Sequence, residues 1–208
     1  MVIKFAYSFK NVDIQPMKRL IIIAFTQVLA VTLLSAELTP EQSSRITKTV
    51  GQIIGQIHYR QIKLNDEISE YHLKNYLNAL DFGHMIFLQS DVDQFEKLHG
   101  TRLDDQVKFG SLRPAQQIFN RYLERLTERQ KQVNEILKID IDFSRDEKFN
   151  PVRNKLPWPK NEAEASELWR GRIKYELLAD RLTYNKDGKK PDPKKIKESV
   201  GKIQRRYE

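Results

Sequence analysis

The chain has 208 residues, 39% hydrophobic and 31% charged, with 8 Gly, 8 Pro and no Cys. This composition suits helices with one buried stripe and a wet outer face. It excludes an integral membrane bundle, a collagen-like repeat, a disulfide scaffold, a thiolate zinc site and a cysteine nucleophile.

The formal charge of +8 belongs to the two ends. Lys4, Lys10, Lys18 and Arg19 against Asp13 leave +3 over residues 1–36, and nine basic against four acidic residues leave +5 over 185–208. The body between them is neutral and offers no continuous positive stripe to a phosphate backbone, so no nucleic-acid partner is expected. The segment Leu20–Ala36 is uncharged and apolar apart from Thr26, Gln27, Thr32 and Ser35, with Lys18 and Arg19 just before it. A positive start, an apolar stretch and a small-residue end predict a secretory signal peptide over 1–36, cut after Ala36. Leu34 is larger than the residue usual at its place before such a cut, which leaves an uncleaved signal-anchor open. Met17 is an alternative start. Export from a Gram-negative cell would deliver the rest to the periplasm.

The predicted body, 37–184, is all-α, an irregular multi-helix domain. Thr39-Pro40-Glu41-Gln42 is a capping box with Pro at the first helical position. Ile46, Val50, Ile53, Ile54 and Ile57 follow at helical spacing and predict that helix's buried face. Gly51 and Gly55, in the same helix, mark close approach to a neighbour. Asn65 is expected to cap a second helix with the stripe Leu73, Tyr76, Leu77 and Leu80. Asp81-Phe82-Gly83-His84 breaks it, and Met85-Ile86-Phe87-Leu88 reads as a short apolar plug. Ser90-Asp91-Val92-Asp93 resembles another cap, before a short helix carrying Phe95 and Leu98. Thr101 opens a brief helix with Leu103 and Val107 that Gly110 closes.

From Pro114 to about Lys138 runs the longest periodic stretch. Ala115, Ile118, Phe119, Tyr122, Leu123, Leu126, Val133, Ile136 and Leu137 are assigned to its inner side, and Glu124, Arg125, Glu128, Arg129 and Lys131 to a solvated one. Ile139, Ile141 and Phe143 alternate with acids in a connector, and the proline-rich 150–160 is loop. Asn161 then caps a long helix with Ala165, Leu168, Trp169, Ile173, Leu177 and Leu178 inward. Residues 185–208 form a basic linker and the start of a further amphipathic helix bearing Ile196, Val200, Ile203 and Tyr207. The expectation is that the chain ends inside that helix, with a docked terminal helix as the alternative.

No complete catalytic constellation emerges. His58, His72, His84 and His99 lack the spacing of a helical zinc site, and no phosphate-binding or nucleophile-elbow motif is present. Ser44 and Lys48 are four apart, but a Ser–Lys dyad needs a desolvated lysine and oxyanion donors, and this stretch is polar. No metal or other cofactor is expected.

The sequence nonetheless carries distinctive motifs at His58-Tyr59-Arg60, Tyr76-Leu77-Asn78-Ala79-Leu80-Asp81 with His84, and Phe87-Leu88-Gln89-Ser90-Asp91-Val92. The most specific is Leu156-Pro157-Trp158-Pro159-Lys160-Asn161-Glu162-Ala163-Glu164, followed by Leu168-Trp169, and Arg205-Arg206-Tyr207 fits the same pattern. Over roughly Thr39 to Glu208 the chain resembles the N-terminal helical domain of tail-specific, or carboxy-terminal processing, proteases. The resemblance implies a periplasmic serine endopeptidase that recognises proteins near nonpolar C-termini, in which a PDZ domain and a Ser–Lys dyad follow the helical domain. None of those later residues has a counterpart here, so no catalytic residue is carried over. The part in hand is then a non-catalytic frame for the proteolytic cavity, whose partners are protein substrates, the PDZ and protease domains, and an accessory protein or a second protomer. A stand-alone periplasmic scaffold or binding module is the alternative.

Overall fold

A computed structural model describes residues 38–57, 63–184 and 192–207. The expected cleavage point Ala36, the leader before it and the motif His58, Tyr59 and Arg60 lie outside these residues. The chain divides into two units, Met1–Gln42 and Ser43–Glu208. In the first, the described residues hold the beginning of α1 (Pro40–Gln52). There Thr39 and Gln42 form the expected capping box: Gln42 N–H donates to Thr39 Oγ1 at 3.2 Å, and Thr39 N–H donates to Gln42 Oε1 at 2.8 Å.

Every regular element among the second unit's described residues is a helix. The unit contains the remainder of α1, a π-helical turn Ile53–Ile57, α2 (Asp66–Leu80), α3 (Gln89–His99), α4 (Leu103–Phe109), α5 (Arg113–Lys138), α6 (Glu162–Tyr184) and α7 (Pro193–Tyr207). The starts are set locally. Asn65 accepts from Ile68 N–H at 3.1 Å and Asn161 from Glu164 N–H at 3.0 Å, each relieving a donor that has no partner within its helix. Gly110 ends α4 at φ 74°, a left-handed conformation that costs glycine little. One cap is misplaced by the sequence reading. α3 starts at Gln89, and Asp91, in its first turn, reaches back to accept Leu88 N–H at 3.0 Å. The brief helix likewise opens after Arg102 and not at Thr101.

Two apolar clusters form the interior. Leu73, Leu77, Phe87, Val92, Phe95 and Ile118 make one, and Met85, Val133, Trp169, Ile173, Leu177 and Ile203 the other. The expected plug bridges them, sending Phe87 into the first and Met85 into the second. α5 spans both, with Ile118 in one and Val133 in the other. α7 docks through Ile203, and its Tyr207 meets the Trp169 ring edge-on at 5.3 Å, so its apolar stripe finds a partner within this chain. Glu176 on α6 fastens it by accepting from Arg206 Nη1 and from the Tyr207 hydroxyl, both at 2.7 Å.

Two stripes differ from expectation. Ile46 and Val50 on α1 and Ile53 at the start of the π-helical turn face outward, 49%, 46% and 45% exposed. The helix packs instead through its opposite side: a Cβ on Gly51 would stand 2.7 Å from Val107 Cγ1, so the glycine lets α1 settle against α4. Gly55, by contrast, has no atom within 4 Å of such a Cβ and marks no close approach. On α5 the inward line runs through Ile118, Tyr122, Arg125, Arg129 and Val133, while Phe119, Leu123 and Leu126 are exposed. Leu98 and Leu178 also face out, since Phe95 and Leu177 beside them already fill the interior.

Candidate functional site

The motif residues that lie within the described chain converge on the turn between α2 and α3. Asp81 ends α2 and is 4% exposed, and its carboxylate turns back under the plug. Oδ1 accepts Met85 N–H at 2.9 Å, and Oδ2 accepts Ile86 N–H at 2.9 Å, Phe87 N–H at 3.1 Å and the Trp158 indole N–H at 3.0 Å. Four donors on one carboxylate match its roughly four lone-pair sites and satisfy the first three amides of the plug, of which Met85 and Phe87 belong to buried residues.

His84 occupies the turn at φ 49°, the left-handed region where a non-glycine residue is strained by roughly 1–2 kcal/mol. Its ring offsets that cost. It stacks on Trp158 with centroids 3.7 Å apart and planes 21° apart. Nδ1 meets the Leu156 carbonyl, which only accepts, so Nδ1 carries a proton; Nε2 lies 2.9 Å from the Asn78 side-chain amide. His84 and Asp81 thereby grip the 156–158 segment from two sides. Pro157 accepts from Arg153 at 3.1 Å, and the buried Pro159 accepts Gln89 N–H at 2.9 Å, tying the same segment to the start of α3. Lys160 is exposed, and its backbone N–H donates to Glu164 at 2.9 Å, which completes the Asn161 cap. Trp169 donates its indole N–H to the Met85 carbonyl at 2.9 Å, so the plug is held from α6 as well.

Below the plug lies a charged cluster whose arginines the sequence reading placed in solvent. Arg129 is 1% exposed. It donates to the Ile86 carbonyl at 3.3 Å, to Gln132 at 3.0 Å and to Glu162 at 2.7 and 3.4 Å. Arg125 forks onto Asp91 at 2.7 and 3.1 Å and reaches Glu162 at 2.6 Å. Hydrogen bonding from Arg129 holds the Glu162 carboxyl below its ordinary range, and the Asp91 carboxylate holds the Arg125 guanidinium above its own. The signal that locates both arginines is their register: 118, 122, 125, 129 and 133 follow one another at helical spacing, with buried apolar residues at both ends.

This arrangement orients backbone and closes a loop. The Asp81 carboxylate accepts from N–H groups and both His84 nitrogens are engaged, and these contacts hold the turn against the 156–158 segment. Ser44 and Lys48 do not form a dyad environment: a Cβ on Gly110 would fall 2.5 Å from Ser44 O and Oγ and 2.9 Å from Lys48 Cγ, so the pair packs against the Gly110 turn, and Lys48 is exposed. Among the described residues no group of three or more His, Asp or Glu side chains is arranged to hold a metal ion.

The tail specific protease N-terminal domain family matches residues 50–208. A tail-specific protease of Haemophilus influenzae is 35% identical over 167 residues, covering 80% of this chain and 23% of that protein. The chain thus spans about a quarter of the length of this curated relative. The match includes the turn, the plug, the Trp158 segment and α7, and on that coverage the chain belongs to the family of tail-specific protease N-terminal domains.

Proposed function

We infer that this chain is the non-catalytic N-terminal helical portion of a carboxy-terminal processing serine endopeptidase that works in the periplasm and selects proteins by their nonpolar C-termini. The observation that carries the reading is the family match over 50–208, in which the distinctive residues Asp81, His84, Trp158 and Glu162 are engaged in holding backbone and helices together. A rigid helical frame suits a domain that shapes the approach to a cavity whose chemistry is supplied elsewhere. The apolar Leu20–Ala36 behind Lys18 and Arg19 supports export. A second reading, a stand-alone helical scaffold, is favoured by one observation: α7 is docked through Ile203 and Tyr207, as that reading requires.

Reading the coding DNA through codon 208 tests the choice. A frame that continues into a PDZ-like segment and Ser and Lys motifs supports the protease reading, and a stop codon there rejects it in favour of the scaffold. Turnover of a reporter with an apolar C-terminus by the 208-residue chain alone would reject the non-catalytic role. The mass of the exported product tests the leader: a new N-terminus at Glu37 supports cleavage, and retention of residues 17–36 in a membrane fraction supports the anchored form.

A further inference from the structure

We propose that the cleft between the connector 143–153 and α6 is a binding site for an organic carboxylate carried on an aromatic or aliphatic body. The cleft has a volume of about 1100 Å³, near the upper end of small-molecule sites, and is half open to solvent. Five basic and three acidic residues line it, a local excess of two positive charges. Two of the cations are short of partners. Half-buried Arg153 uses one of its five N–H donors, giving Nη2 to the Pro157 carbonyl at 3.1 Å, and its Nε is buried without an acceptor. No carboxylate among the described residues lies within ion-pair distance of it. Burial pulls its guanidinium below the ordinary range, and the Asp81 charge offsets this only from farther off.

Lys174 is 7% exposed, and its ammonium stands 3.2 Å from Glu147 Oε1, out of line for a hydrogen bond. Glu147 is shared with Arg170, which donates to it at 3.1 and 3.4 Å, so the cleft already seats one carboxylate on two cations. A second carboxylate would fill the Arg153 fork and supply the counter-charge a half-buried guanidinium lacks. The same cleft offers that ligand an apolar wall. The Phe149 and Tyr175 rings stand 5.5 Å apart at 38°, and Tyr175 is 41% exposed. Gly171 makes room for this wall, since a Cβ there would fall 3.0 Å from Phe149 Cδ2. The three acids would repel a polyanion such as a polyphosphate, so the charge suits a single carboxylate with a ring or alkyl chain to lay on the wall.

Phenylpropionate is the probe, with its neutral amide as control, titrated calorimetrically into the full 208-residue chain at low salt. The acid is expected to bind with a Kd of about 1 mM or tighter, and the amide at least about tenfold more weakly. Arg153→Gln should weaken the acid about tenfold and leave the amide unchanged. Tyr175→Ala, a change at an exposed ring, should weaken acid and amide alike by about threefold. It keeps the test open should loss of the Arg153–Pro157 bond unfold the chain. An acetylated and amidated peptide with phenylalanine before glutamate separates the sources of the carboxylate. Tighter binding than phenylpropionate assigns the site to an acidic side chain of a peptide, and weaker binding to a small free acid. Equal affinities for acid and amide overturn the proposal, as does an acid affinity that survives both substitutions. So does the absence of any heat of binding, from acid or peptide, up to about tenfold above the expected Kd.

Discussion

Replacing Asp81 by Ala removes the acceptor for the Met85, Ile86 and Phe87 amides and for the Trp158 indole. A buried donor left without a partner costs about 1–3 kcal/mol, and water entering the space of the lost carboxylate recovers part of that for the half-buried donors. The expected loss is about 3–6 kcal/mol, a large part of the roughly 5–15 kcal/mol that holds a domain folded. For a unit of this size each kcal/mol lowers Tm by about 2–4 °C, so thermal melts followed by far-UV circular dichroism should shift down by about 6–24 °C. Asp81→Asn supplies the internal comparison. Its amide oxygen can take over the three Oδ2 bonds while its NH₂ confronts the Met85 amide, so its loss should be smaller, about 2–3 kcal/mol. An Asp81→Ala protein melting within about 2 °C of the parent would refute the assignment of Asp81 as the anchor of the plug.

Trp158→Phe keeps a ring beside His84 but deletes one donor to Asp81; a loss of about 1–2 kcal/mol in urea unfolding is expected, and no further loss when it is combined with Asp81→Ala. Gly110→Ala should cost at least about 2 kcal/mol, because the residue is left-handed and the new methyl would collide with the Ser44 backbone oxygen; an unchanged denaturation midpoint would contradict that packing. Glu162 has a folded pKa depressed by Arg129, so its contribution is fully present above its ordinary 4.5 and fades as pH falls through the lower folded value. The urea midpoint of the parent should accordingly drop more steeply from pH 6 to pH 3.5 than that of Glu162→Gln, and parallel curves would reject the linkage.

Helix starts were legible because caps are local: Thr39, Asn65 and Asn161 each bond within three residues. The plug was legible as four apolar residues after a helix stop, and Gly110 as a terminator. Arg129 was not, because a run of alternating charges looks like a solvated face until Glu162, 33 residues on, is brought against it. Asp81 read as a helix breaker, since its indole partner lies 77 residues away in sequence. The α1 stripe failed for a different reason. Periodicity marks which residues share a face but not which face the rest of the domain selects, and Gly51 allowed a closer approach on the other side. Of the site, the motif residues were visible as a set, but their convergence on one turn was not, because the contacts that join the turn to Leu156 and Trp158 cross 72 and 77 residues.

The central claim is that the family motifs build a buried clamp, and amide hydrogen exchange tests it most directly. If Asp81, Trp158 and Trp169 hold the plug as described, the amides of Met85, Ile86 and Phe87 exchange as slowly as those in the middle of α2 and α6, and Asp81→Ala releases them selectively. Exchange of these three amides at the rate of an open loop in the parent chain would contradict the account.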